Sequence, residues 1–93
     1  MAFSFSISDV QFVILGMLSA DDGLYGLEMV KRSSLLKRAT IYVHLSRMED
    51  RGWLVSAAPE LGEAGMARRR YSLTESGRRV HAAAQAAQKI MAA

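Results

Sequence analysis

The stretch from Lys37 to Thr74, KRATIYVHLSRMEDRGWLVSAAPELGEAGMARRRYSLT, decides the fold, because its apolar period changes once along its length. Up to Asp50 the pattern is helical. Ile41, Leu45 and Met48 follow i, i+4, i+7 spacing and so share one face. The spacing predicts a helix over about 38–51 that stops at Gly52, a residue able to take the left-handed conformation just past a helix end. Beyond Gly52 the period shortens to two. Residues 54–58 read as a short strand, 59–65 hold a proline and two glycines, and Arg69, Tyr71 and Leu73 alternate with Arg68, Arg70 and Ser72. A β-hairpin therefore follows the helix.

Upstream, Ser8 followed three residues later by Gln11 predicts a capping box, with Ile7 stapled against Phe12, so a helix starts at Asp9. Val10, Phe12, Val13, Ile14, Leu15, Met17 and Leu18 leave it almost no polar face, which requires cover on more than one side. Asp21, Asp22 and Gly23 break it, and a second helix runs over about 25–32 before Ser33 and Ser34. Downstream, Thr74 is the expected N-cap of a last helix, with Glu75 in the first turn where the helix dipole favours a negative charge. The order is helix, helix, helix, strand, strand, helix. That is a mainly α, α+β arrangement, a winged helix-turn-helix.

Ninety-three residues fit one domain, 1–93, with hydrophobic residues at 51% and charged residues at 23%. No apolar run approaches the roughly 20 residues that span a bilayer, the first thirty residues hold no Lys or Arg for a secretory signal, and there is no Cys. A cytoplasmic protein with no membrane partner is the expectation. The net charge of +3 is unevenly spread. Residues 1–30 contain Asp9, Asp21, Asp22 and Glu28 and nothing basic, for −4. Residues 31–51 set six basic side chains against Glu49 and Asp50, for +4, and 52–93 set six against Glu60, Glu63 and Glu75, for +3. A positive field confined to the middle and end of a small domain suits a polyanion, although a solvated basic face accounts for the charge equally well.

With Ile41, Leu45 and Met48 inward, a rotation of about 100° per residue turns Ala39, Val43, Ser46 and Asp50 outward, with Thr40, Tyr42 and Arg47 on the flanks. A helix that enters a major groove about 12 Å wide needs a slim ridge and cations at its amino end, where Lys37 and Arg38 stand. Thr40, Tyr42, Val43, His44, Arg47, Lys37 and Arg38 are thus candidate DNA contacts. Of the residues along or beside the ridge, Arg47 alone has the paired donors that match a guanine edge; its rival role is an ion pair with Glu49 or Asp50. Of the wing arginines, alternation puts Arg68 and Arg70 on one face, ready for phosphate, unless one packs or pairs with an acid.

ILGMLSADDGLYGLEMVKR (14–32), KRATIYVHLSRMEDRGWL (37–54) and RRRYSLTESGRRV (68–80) together resemble the PadR-like family of winged-helix transcriptional regulators. Tyr25-Gly26, the Thr40-Ile41-Tyr42 triplet and Leu73 to Gly77 in this order are specific wording; regulators such as the MarR family share the layout without it. Many members carry serine, glycine and proline where this chain has Lys37, Ala39 and Val43, so it is similar to a compact branch. The resemblance implies a regulator, most simply a repressor, acting on double-stranded DNA at a pseudo-palindromic site. It also implies a homodimer built from the first and last helices. Val80, Ala84, Ala87 and Met91 form a heptad-like seam on the last helix, 74–93, that fits this role together with Val13; the rival reading is that the seam covers the chain's own core. A small-molecule or protein effector stays open.

An enzyme needs an activated nucleophile, a metal cluster or paired acid and base. Without Cys, and with His44 and His81 each isolated from ligand spacing, no catalytic residue, metal site or cofactor is expected. The competing class is a winged helix that binds a protein partner instead of DNA, which has no use for Lys37, Arg38 and Arg68 to Arg70.

Overall fold

The computed structural model describes residues 7–62 and 65–92. α1 (Asp9–Ala20) opens on the expected capping box: the Gln11 backbone N–H donates to Ser8 Oγ, and the Ser8 N–H donates to Gln11 Oε1, each at 3.2 Å. Ile14, Leu15 and Leu18 are fully buried, while Phe12, Val13 and Met17 are half-buried on the remaining sides. α1 ends at Asp21, and two residues of extended chain, β1 (Leu24–Tyr25), lead into α2 (Gly26–Arg32).

α3 (Ile41–Asp50) begins three residues later than the apolar spacing predicts. The Lys37 carbonyl accepts from the N–H groups of both Thr40 and Ile41, at 3.1 and 2.9 Å. Residues 37–40 thus form a turn ahead of the helix. Its end is as expected: Gly52 has φ +81°, its N–H donates to Glu49 O at 2.9 Å and the Trp53 N–H to Met48 O at 3.0 Å, the paired bonds of a Schellman motif.

β2 (Leu54–Ser56) pairs antiparallel with β5 (Arg70–Leu73), Leu54 facing Leu73, and β1 pairs with the other edge of β5, Tyr25 facing Arg70. The sheet order is β1-β5-β2, with a first strand absent from the helix-and-hairpin order. The hairpin is also divided. Its outer part is a separate pair, β3 (Glu60–Leu61) with β4 (Ala67–Arg68), and Pro59, which has no N–H for a ladder, stands where the first sheet stops.

α4 (Glu75–Ala92) starts at Thr74, whose Oγ1 accepts from the Gly77 N–H at 3.0 Å and whose hydroxyl donates to Gly52 O. The carbonyl of Trp53 approaches Gly77 so closely that a Cβ there would lie 2.1 Å from it, which locks the α3–β2 joint onto the first turn of α4. Farther on, α4 packs along α1 and buries Ala84 and His81, the His81 ring centre 5.7 Å from that of Phe12. Ile14, Leu15, Leu18, Ile41, Leu45 and Met48 from α1 and α3 meet Met29, Leu36, Leu54, Tyr71 and Leu73 in one core.

Candidate nucleic-acid interface

The core anchors α3 by the three side chains that the spacing assigns to it, all with no exposed surface, and so fixes what faces outward. Thr40, Tyr42, Val43, Ser46, Arg47 and Asp50 are exposed, and His44 is half-buried at the edge. Tyr42 leans on α2: its ring passes so near Gly26 that a Cβ there would come within 2.9 Å, which is why a side chain at the start of α2 would displace it. Among the described residues no acid pairs with Arg47. Its neighbour Glu49 instead accepts from the Ser56 hydroxyl at 2.7 Å, so the same-helix pair is not formed. Burial, and then the Glu49 carboxylate, push the Tyr71 phenol up, so it stays neutral beneath this edge.

Lys37 and Arg38 are exposed on the turn before α3, and again no described acid pairs with either. The acids of the N-terminal third lie elsewhere: Asp21 pairs with Arg32 at 3.0 Å and Asp22 approaches Arg78 at 3.8 Å, which ties α1 to α2 and to α4. A hollow of about 590 Å³ separates α2 from the wing, with Lys31, Arg38, Tyr42 and Arg68 on its walls.

Arg68 and Arg70 do share a face, and that face covers Tyr25: their guanidinium carbons lie 4.0 and 4.3 Å from its ring centre. Arg70 is the one that pairs with an acid, Glu60, at 3.3 Å, and Arg69 reaches back to Ala57 O at 3.5 Å. Neither Tyr25 nor Glu60 is visible as a site residue in the sequence. They lie 35 residues apart and meet through two pairings, β1 with β5 and β3 with β4.

The seam on α4 divides in two. Ala84 is already buried against α1 of its own chain, and Val13 and Val80 are half-buried on the same core. Ala87 and Met91 are exposed, and they border an apolar groove of about 340 Å³ with Ile7 and Phe12. Among the described residues no cluster of His, Asp and Glu has the makings of a metal site, and no helix is long and apolar enough to cross a membrane.

A turn bearing two exposed cations precedes a core-anchored helix with a slim outer ridge and a wing beside it, and the transcriptional regulator PadR-like family model matches residues 14–83. The chain belongs to the PadR-like family. Its fold recurs in the PadR family transcription regulator of Clostridium difficile R20291, 27% identical with a TM-score of 0.72 over 86% of each chain. The PadR-like transcription factor of Bacteroides fragilis, at 19% identity, shares the fold with a TM-score of 0.76 over 88% of this chain and 82% of its own. The PcaV transcriptional regulator of Streptomyces coelicolor, solved with its natural ligand, is 30% identical with a TM-score of 0.70. That match takes in 92% of this chain and 62% of PcaV, so this PadR-like chain spans less than two thirds of that regulator's length. No curated protein matches the chain.

Proposed function

We propose that this PadR-like regulator binds operator DNA as a homodimer and represses transcription. Each copy sets α3 into a major groove, with the two copies about 34 to 36 Å apart along one face of a pseudo-palindromic site. The observation that carries the reading is the outer face of α3 and the turn before it, where Thr40, Val43 and Arg47 stand exposed above a rigid core and follow the exposed Lys37-Arg38 pair. Arg47, with no acid on its own helix engaged, is the side chain for a guanine edge; Thr40 and Val43 offer methyl groups to thymine; Tyr42 and His44 sit at the flanks, where phosphate passes. The exposed half of the α4 seam, Ala87 and Met91 beside the groove with Phe12, is the surface a second copy covers.

Fluorescence anisotropy against the gene's own upstream DNA, with a salt titration, tests this. Lys37→Ala with Arg38→Ala is expected to weaken binding to every sequence and to lower the salt slope by about 1 per lost phosphate contact. Unchanged affinity and slope favour a protein-binding winged helix instead. Equal affinity for a full palindrome and for one half-site removes the homodimer.

A further inference from the structure

Tyr25, Glu60, Arg68 and Arg70 come from four different strands and form one polar cluster at the foot of the wing. Arg70 is engaged on three sides: its Nε meets Glu60 Oε2 at 3.3 Å, its Nη1 donates to Gly23 O at 3.0 Å, and its face covers the Tyr25 ring. The Tyr25 hydroxyl donates to the other Glu60 oxygen, Oε1, at 2.7 Å. One carboxylate is thus held by a phenol on one oxygen and a guanidinium on the other. The Tyr25 hydrogen bond, then the charges of Arg70 and Arg68, keep the Glu60 carboxyl below the usual carboxylate range, so it is ionised at neutral pH.

This ion pair is open to exchange. The side chains of Arg70 and Glu60 keep 49% and 44% of their surface exposed. Arg68 lines the same hollow as Arg38, on the way of a phosphate backbone leaving the start of α3, and Arg70 lies beside it at the Tyr25 ring. A phosphate offers a guanidinium the same charge and acceptor oxygens as a carboxylate. We propose that Glu60 is an internal counter-ion that pairs with Arg70 and offsets the charge of Arg68 in the free protein, and yields both arginines to a nucleic-acid phosphate, while Tyr25 is the positioning residue that holds both guanidiniums in place. The proposal rests on the DNA-binding reading above, and it makes the wing a contact whose strength is held down by its own acid.

The test measures duplex binding and heparin elution, each against salt, for wild type, Glu60→Gln, Tyr25→Phe and Glu75→Gln. Glu60→Gln keeps an acceptor for Tyr25 but drops the charge; it is expected to tighten binding to any duplex by about two- to fivefold, the range of an exposed ion pair, and to steepen the salt slope by about 1. Tyr25→Phe keeps the ring under the arginines and frees only the carboxylate, so it gives a smaller gain of the same sign; a merely structural hydroxyl gives a loss. Glu75→Gln removes an equal charge from α4, where it pairs with Arg79 at 3.2 Å, and leaves the slope unmoved. An unchanged slope in Glu60→Gln, an equal gain in Glu75→Gln, or weaker binding in Tyr25→Phe overturns the proposal. If wild type binds no duplex, the DNA reading falls by itself; later elution of Glu60→Gln from heparin then upholds the counter-ion, and equal elution overturns it.

Discussion

The helical body and the wing of this PadR-like domain are held by different forces. In the body, Ile14, Leu15, Leu18, Ile41, Leu45 and Met48 are wholly removed from water, and dense apolar packing fixes the direction in which α3 points. At the wing tip, Leu61 and Met66 are 83% and 72% exposed, and what ties the tip down is a phenol, a carboxylate and two guanidiniums. Apolar contacts are not screened by salt, whereas exposed charged contacts are. α3 is therefore held rigidly under conditions that loosen the wing.

Removing the same kind of atoms from the two regions gives the widest contrast. Leu45→Ala is expected to cost about 2–5 kcal/mol, a large share of the stability of a domain this small, as read by chemical denaturation. Acidification separates the regions next. In the unfolded chain His81 takes up a proton near pH 6.5, but burial between α1 and α4 pushes its folded value lower. Between those values the unfolded state binds more protons, so stability falls as pH drops through 6.5 and levels off below the folded value. For Glu60, whose folded value lies below 4.5, the contribution is present above 4.5 and is lost only as pH falls further. Denaturation midpoints from pH 8 to 5 are expected to fall in wild type and to stay flatter in His81→Gln; a parallel fall in both removes His81 as the cause. The smallest effect belongs to Leu61→Ala, within about 0.5 kcal/mol of wild type by the same denaturation measurement.

What the sequence made legible were the features that neighbours along the chain dictate. The Ser8–Gln11 capping box, the Gly52 helix stop, the Thr74 cap and the Ile41, Leu45, Met48 stripe each depend on residues within a turn or two, and the structure carries all four. β1 is not legible in the sequence because two residues, Leu24 and Tyr25, have no period; they are a strand only because β5 lies beside them. α3 starts later than its spacing predicts because Lys37 to Thr40 close a turn through one carbonyl instead of joining the helix. The polar cluster on Tyr25 had no local signal at all. A tyrosine directly before a helix and an arginine run 43 residues later become partners only through strand register. Ala84 read as seam because its spacing continues that of Ala87 and Met91, and periodicity says which face a residue occupies, not which helix covers it.

The order of the strands bears on how the chain is made. β5, the middle strand of the sheet, is translated after both of its neighbours, and α1, translated first of the described helices, finds its cover in α4. A ribosome that has delivered residues 7–62 has produced three helices that can pack on one another but lack the cover of β5 and α4, and strands with no central partner. Such pairings between distant segments close slowly and leave oily surface open to nascent-chain chaperones in the meantime. Both the sheet and the closed core need residues 70–92 to be complete.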